Sequence, residues 1–191
     1  MNDILLKKYS FAYPAGGEKK FPPIETIKFP IYALLYQLDD NALVSQTYKV
    51  KLTNSLFTGN NKSRLLFHED DLRALRYNND IALIDNLNRV LNSLSEQLKK
   101  RGITLISLPC PDKYDLYHDF MVDHKRYPRP LFFDLMEPLS KKYIYVDSKA
   151  LFRSQVSVQP DIYFYDDTHW SPVGASMIAK KIMELIRQDT E

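Results

Sequence analysis

The sequence predicts an α/β fold: a parallel sheet flanked by helices, preceded by an irregular N-terminal arm. Three observations lead there. A long amphipathic helical pattern closes on a glycine and runs into a β-rich segment over residues 81–108. A shorter helix-then-strand pattern follows over 131–147. A well-signalled helix over 172–188 comes after a short aromatic run. Helices alternating with short apolar strands favour parallel pairing with helices on the sheet faces.

In chain order, residues 1–30 hold Pro14, Pro22, Pro23 and Pro30 with the Gly16-Gly17 pair. Proline at that density blocks both helix and central strand. The segment therefore reads as an arm, and its Tyr9, Phe11, Tyr13, Phe21 and Phe29 suggest that it packs on something. Residues 31–38 fit a short helix or a strand equally, and Leu65-Leu66-Phe67 fits a short strand. The expected division is an arm and lead-in over 1–61 and a partial domain over 62–191. From Asp80 onward Ile84, Leu87, Leu91, Leu94 and Leu98 recur at helical spacing on one face. Lys99, Lys100 and Arg101 suit the negative end of that helix, and Gly102 suits a left-handed stop. Ile103 to Leu108 then reads as a strand closed by Pro109 and Pro111. Leu131 to Leu139 is a helix weakened by Pro138, Tyr143 to Val146 a strand, and Tyr163-Phe164-Tyr165 a third strand. In the last helix Ser171 is placed to cap, Pro172 occupies the first turn, and Ile178, Ile182, Leu185 and Ile186 form the apolar face.

Composition excludes several functions. The 191 residues carry 26 Lys and Arg against 24 Asp and Glu, a net charge of +2. That balance argues against nucleic acid as a partner. The single cysteine, Cys110, permits no internal disulfide, and no Cys/His cluster has metal spacing, so no metal is expected. No apolar run approaches the roughly 20 residues of a membrane helix. The N-terminus lacks a signal-peptide core, which on an authentic start predicts a cytoplasmic chain.

The chemistry concentrates in Asp167-Thr168-His169-Trp170, between an expected strand end and a helix N-terminus. Loops at the carboxyl ends of parallel strands are where such folds place ligands and catalysis. Residues two apart in extended chain point the same way. Asp167 can thus fix the imidazole of His169, the general-base half of a nucleophilic hydrolase. Taken bare, an Asp-x-His is more simply a loop cap beside a packed aromatic. The helix signature Ser171-Pro172-Val173-Gly174-Ala175 makes the context more specific. Asp112 and Lys113 follow another strand end, where two readings stand level. The lysine meets an anionic sugar or an acyl oxygen, or the segment is a turn made rigid by Pro109 and Pro111. His68, His118 and His124 are isolated and read as surface or core residues.

The stretch from Tyr163 to Ala175 resembles the Asp-Thr-His-Trp block of the alginate-type O-acetyltransferases (AlgJ/AlgX-like), an SGNH-hydrolase-like family. Arg101 to Lys113, followed by Tyr114 to Tyr117, resembles the same family's block of long helix, Gly-Ile strand and Pro-x-Pro-Asp-Lys. The resemblance covers about 62–186. It implies a flavodoxin-like parallel sheet flanked by helices, and acyl transfer to or from a polysaccharide hydroxyl through a seryl intermediate. Asp167 would be the orienting acid and His169 the base, with Asp112, Lys113 and Trp170 as substrate-binding candidates. No cofactor is implied; the location implied is the periplasm or cell envelope. Acyl donor and oligomeric state are left open.

In that family the serine follows the aspartate and histidine in the chain. Here 22 residues follow His169, with Ser171 and Ser176 the serines among them. Ser171 already has a capping role, and no strand precedes Ser176 to make a nucleophile elbow. The expectation is therefore an incomplete sheet and an incomplete site. Its alternative is a non-catalytic carbohydrate-binding or scaffold remnant, and a weaker third reading has His169 activating water.

Overall fold

The computed structural model describes residues 31, 33–42 and 45–190. The arm expected over 1–30 lies outside the described residues. The chain is helical at 31 and 33–38, which resolves that ambiguity.

The first sheet is an antiparallel pair, β1 (Thr47–Lys51) and β2 (Arg64–His68), in the register Thr47↔His68 to Lys51↔Arg64. Val50, Leu65 and Phe67 face inward, and Tyr48 stacks on Phe67 at 5.0 Å. β2 runs into α1 (Glu69–Asn78), where the His68 side chain accepts from the Asp70 amide and Asp71 reaches back to the His68 N–H. A histidine thus takes the place of the usual serine or threonine in a capping box.

The expected long helix is α2 (Ile81–Lys99), with Asp80 accepting from the Ala82 and Leu83 amides. Gly102 stands at φ 71, the left-handed stop read from the sequence. The inner face is the expected one only in part. Ile84 is buried and Leu91 packs beside it, but Leu87 and Leu94 are exposed and the buried face is completed by Asn88 and Ser95. The reason is polar. Asn88 and Asn92 both donate to the Ser140 carbonyl at 3.0 Å, Ser95 donates to the Lys142 carbonyl at 2.6 Å, and the Tyr143 hydroxyl donates to Asn88. Segment 140–143 is thereby fastened along the helix.

The parallel sheet is present but short. β3 (Ile106–Ser107) pairs with β4 (Ile144–Tyr145), Ile106 opposite Ile144 and Ser107 opposite Tyr145. The helix that leads into β4, α4 (Phe132–Met136), packs on α2 around Ile84, Met136 and Tyr143. The helix straight after β3, α3 (Lys113–Tyr117), is buried along its whole length. After β4 comes α5 (Ser148–Arg153), capped by Asp147 on the Ala150 amide, and the last helix is α6 (Pro172–Thr190). The third strand expected at Tyr163–Tyr165 is not one. Tyr163 forms a single antiparallel bridge with Trp170 instead. Val50, Leu52, Leu56 and Phe57 share one core with Tyr114, Tyr117, Phe152, Ile162, Tyr163 and Ile178, so the hairpin and the 113–178 segment fold around a common centre.

Candidate active site

β3 and β4 end side by side, and the Ser148 hydroxyl donates to the Pro109 carbonyl across those ends. On this carboxyl edge sits the loop that connects Ile162 to α6. The Tyr163 hydroxyl donates to the Pro111 carbonyl and receives the Trp170 indole N–H at 2.6 Å. The Phe164 amide donates to the His169 carbonyl at 3.2 Å, and the Ser171 amide to the Ile162 carbonyl at 3.0 Å. The loop is therefore a narrow hairpin with its base at 162–163 and 170–171 and its tip at 167–169.

Three residues hold that base in ways that admit few substitutes. Ser171 is buried; its oxygen accepts from the Val173 amide at 3.0 Å and donates to the Asp161 carbonyl. Asp161 stands at φ 58, unusual for a residue with a side chain. Its carboxylate takes the Thr58 amide at 2.9 Å and the Thr58 hydroxyl at 2.6 Å, which ties the loop to the hairpin side of the core. Gly174 packs so closely that a Cβ there would lie 2.5 Å from the Ile162 carbonyl oxygen. The Ser-Pro-Val-Gly run thus both starts α6 and seats it on the loop.

At the tip, Asp167 Oδ1 lies 2.5 Å from His169 Nδ1 and also accepts the His169 amide at 3.0 Å. Those hydrogen bonds hold the Asp167 carboxyl below the ordinary carboxylate range. The two-residue spacing has brought the pair together as the sequence suggested. The pair is not enclosed, because the side chains are 81% exposed for His169 and 52% for Asp167. An open groove of about 640 Å³ runs between α5 and α6, lined by Leu151, Gln155, Met177 and Lys180, but neither member of the pair lines it. Hydrogen bonding, not enclosure, makes the pair stand out. Trp170 is half-buried, its ring edge-on to Phe152 at 5.5 Å.

Asp112 and Lys113 lie beneath this loop. Asp112 caps α3 by accepting the Asp115 amide at 2.6 Å. Burial, and then the neighbouring Asp71, push its carboxyl up to about 7. Lys113 is 2% exposed, and its ammonium donates to the carbonyls of Phe164 at 3.0 Å and Tyr165 at 2.6 Å. Burial brings it down to about 8, against the opposing pull of Asp71, Asp166 and Asp167. No local pattern singles out Asp71 or Asp161. Asp71 sits in an acidic run that looks like an ordinary helix start, and the one hint at Asp161 is the preceding Pro160.

The model of the SGNH hydrolase-like domain of the acetyltransferase AlgX matches residues 62–191 of this chain. The chain belongs to that family. It is also 26% identical over 131 residues, 66% of its length, to the probable alginate O-acetylase AlgJ of Pseudomonas syringae pv. tomato. It spans about a third of that relative, 32%. No solved structure matches. The short parallel pair with its flanking helices is thus part of an SGNH-hydrolase-like domain, and the family points to alginate-type O-acetylation. Among the described residues no helix is long and apolar enough to cross a membrane.

Proposed function

We propose that Asp167 and His169 are the orienting acid and general base of an acyl transfer to or from a polysaccharide hydroxyl. The observation that carries this reading is the hydrogen bond from His169 Nδ1 to a carboxylate held in its charged form. A carboxylate on Nδ1 fixes the tautomer in which Nε2 is the basic nitrogen, and it stabilises the imidazolium that forms when Nε2 takes a proton. Among the described residues His169 Nε2 makes no hydrogen bond, so it is free to meet a hydroxyl. The ring would take the proton of the attacking hydroxyl and return it to the leaving oxygen.

Ser171 is not that hydroxyl, because its oxygen is occupied by the Asp161 carbonyl and the Val173 amide. The half-buried Trp170 offers an aromatic surface at the loop for a sugar ring. Lys113 supports the loop from below, and Asp112 caps the helix that carries it. The periplasm or cell envelope is the location that fits this chemistry in a family of polysaccharide acetylation.

The test is acetate release from an acetylated glycan by wild type, Asp167→Asn, His169→Ala and Ser171→Ala. With no serine among these residues placed to attack, water is the nucleophile in this assay: turnover is expected to be slow, to vanish with His169→Ala, to fall with Asp167→Asn, and to be unmoved by Ser171→Ala. Full turnover in His169→Ala would sink the reading. A second reading, non-catalytic carbohydrate binding, is favoured by the occupied Ser171 oxygen. Glycan binding with no turnover in any of the four proteins would select it.

A further inference from the structure

An exposed Asp-His pair has little around it to fix its geometry. Exposed side chains change rotamer within nanoseconds, and a loop tip moves with its limbs. The descending limb here is secured by Trp170 on Tyr163 and by Ser171 on Ile162 and Asp161. The ascending limb, Phe164 to Asp166, is held by the Lys113 ammonium, which takes two successive carbonyls, the second of them two residues before Asp167. Nothing about Lys113 suits contact with a ligand. It is 2% exposed, and its ammonium also lies 5.6 Å from the Phe57 ring centre and 6.0 Å from that of Tyr165. An ammonium is costly to bury, and lysine side chains are almost never found fully buried unless paired. Here two carbonyl acceptors, two aromatic faces and the field of Asp71, Asp166 and Asp167 compensate it.

We propose that Lys113 is a positioning residue for the Asp167–His169 pair: by holding the Phe164 and Tyr165 carbonyls it fixes the limb that sets the Asp167 carboxylate against His169 Nδ1. Calling the pair an acid-base pair rests on the function proposed above. The positioning itself is a statement about geometry and is tested without any acetate assay, so either can fail alone.

The readout is the tautomer of His169, followed by ¹⁵N NMR of the imidazole at neutral pH in the full chain. Wild type should favour the Nδ1–H form, and Asp167→Asn should define the uncoupled endpoint. Lys113→Met is expected to lose the preference and move to that endpoint. Val156→Ala, a truncation in the core that also holds Phe57 and Tyr163, should loosen the protein yet keep the wild-type tautomer. The proposal is overturned if Lys113→Met keeps the preference, or if Val156→Ala loses it as fully. Should Lys113→Met fail to fold, wild type decides by itself. Its Lys113 ammonium protons should exchange slowly and show contacts to residues 164 and 165. Exchange as fast as that of a surface lysine would refute the clamp.

Discussion

Ile162, Tyr163 and Ser171 are buried at the base of one loop, while Asp167 and His169 at its tip lie open to solvent. The base is held by bonds to distant parts of the chain: Thr58, Pro111, Lys113 and the close seat of Gly174. The tip is held by one short-range pair. The contrast teaches where order at this site comes from. Burial removes water as a competitor, so each base hydrogen bond restrains the backbone strongly. The tip can then remain accessible and still present two side chains in register. Base substitutions other than at Lys113, which reaches the limb next to the tip, should therefore act on stability, and tip substitutions on chemistry.

The largest break in that contrast is Gly174→Ala. The added Cβ meets a backbone oxygen, which cannot swing away as a side chain could. Overpacking of this kind costs roughly 1–3 kcal/mol, and the upper end is expected. A midpoint shift in urea with an unchanged slope would show it, and a wild-type midpoint would mean that the helix is seated otherwise.

The next effect is in pH dependence. The carboxyl of Asp112 is raised from 3.8 to about 7. The folded state therefore binds its proton more tightly than the unfolded chain, and stability from this group is lost as pH rises from about 4 through about 7. Lys113 is lowered from 10.5 to about 8, so its contribution has the opposite sign and stability is regained as pH climbs from about 8 towards 10.5. Together they predict a stability minimum near neutral pH. Asp112→Asn, which can still cap α3, should flatten the acid side alone, as followed by melting temperature across the range.

A smaller loss is expected from Ser171→Ala. An N-cap deletion costs about 1 kcal/mol, and the Asp161 carbonyl loses a buried donor as well. Thermal melts should show the drop with helix content otherwise intact. Smallest of all is His169→Ala, which should leave the melting temperature where it is. A clear loss there would mean that the tip contributes to the fold and that the contrast is false.

Much of this was legible in local sequence. Ser171 caps α6, Gly102 ends the turn after α2, Asp80 starts α2, and Asp167 meets His169, each through partners within a few residues. The inner face of α2 was not, because its leucine spacing says nothing of Asn88 and Ser95 reaching carbonyls in a distant segment. β1 was missed as well. Tyr48, Val50 and Leu52 do alternate with Lys49 and Lys51, but the run is short and its partner lies beyond the long 52–63 connection instead of a tight turn.

The sequence by itself determined the end of α2 with its glycine stop, the start of α6, the family and the pairing of Asp167 with His169, since the helix termini and the pair depend on neighbours that the backbone brings together at short range. Only the tertiary structure decided that 163–165 would not be a strand. The Ile162 carbonyl goes to the Ser171 amide, those of Phe164 and Tyr165 go to Lys113, and the Phe164 amide goes to His169, which leaves no free backbone ladder for a sheet neighbour. It also decided that Lys113 would be buried. The cost of removing an ammonium from water is offset only where carbonyls and carboxylates from separate elements converge on it, and that convergence exists only in the folded chain.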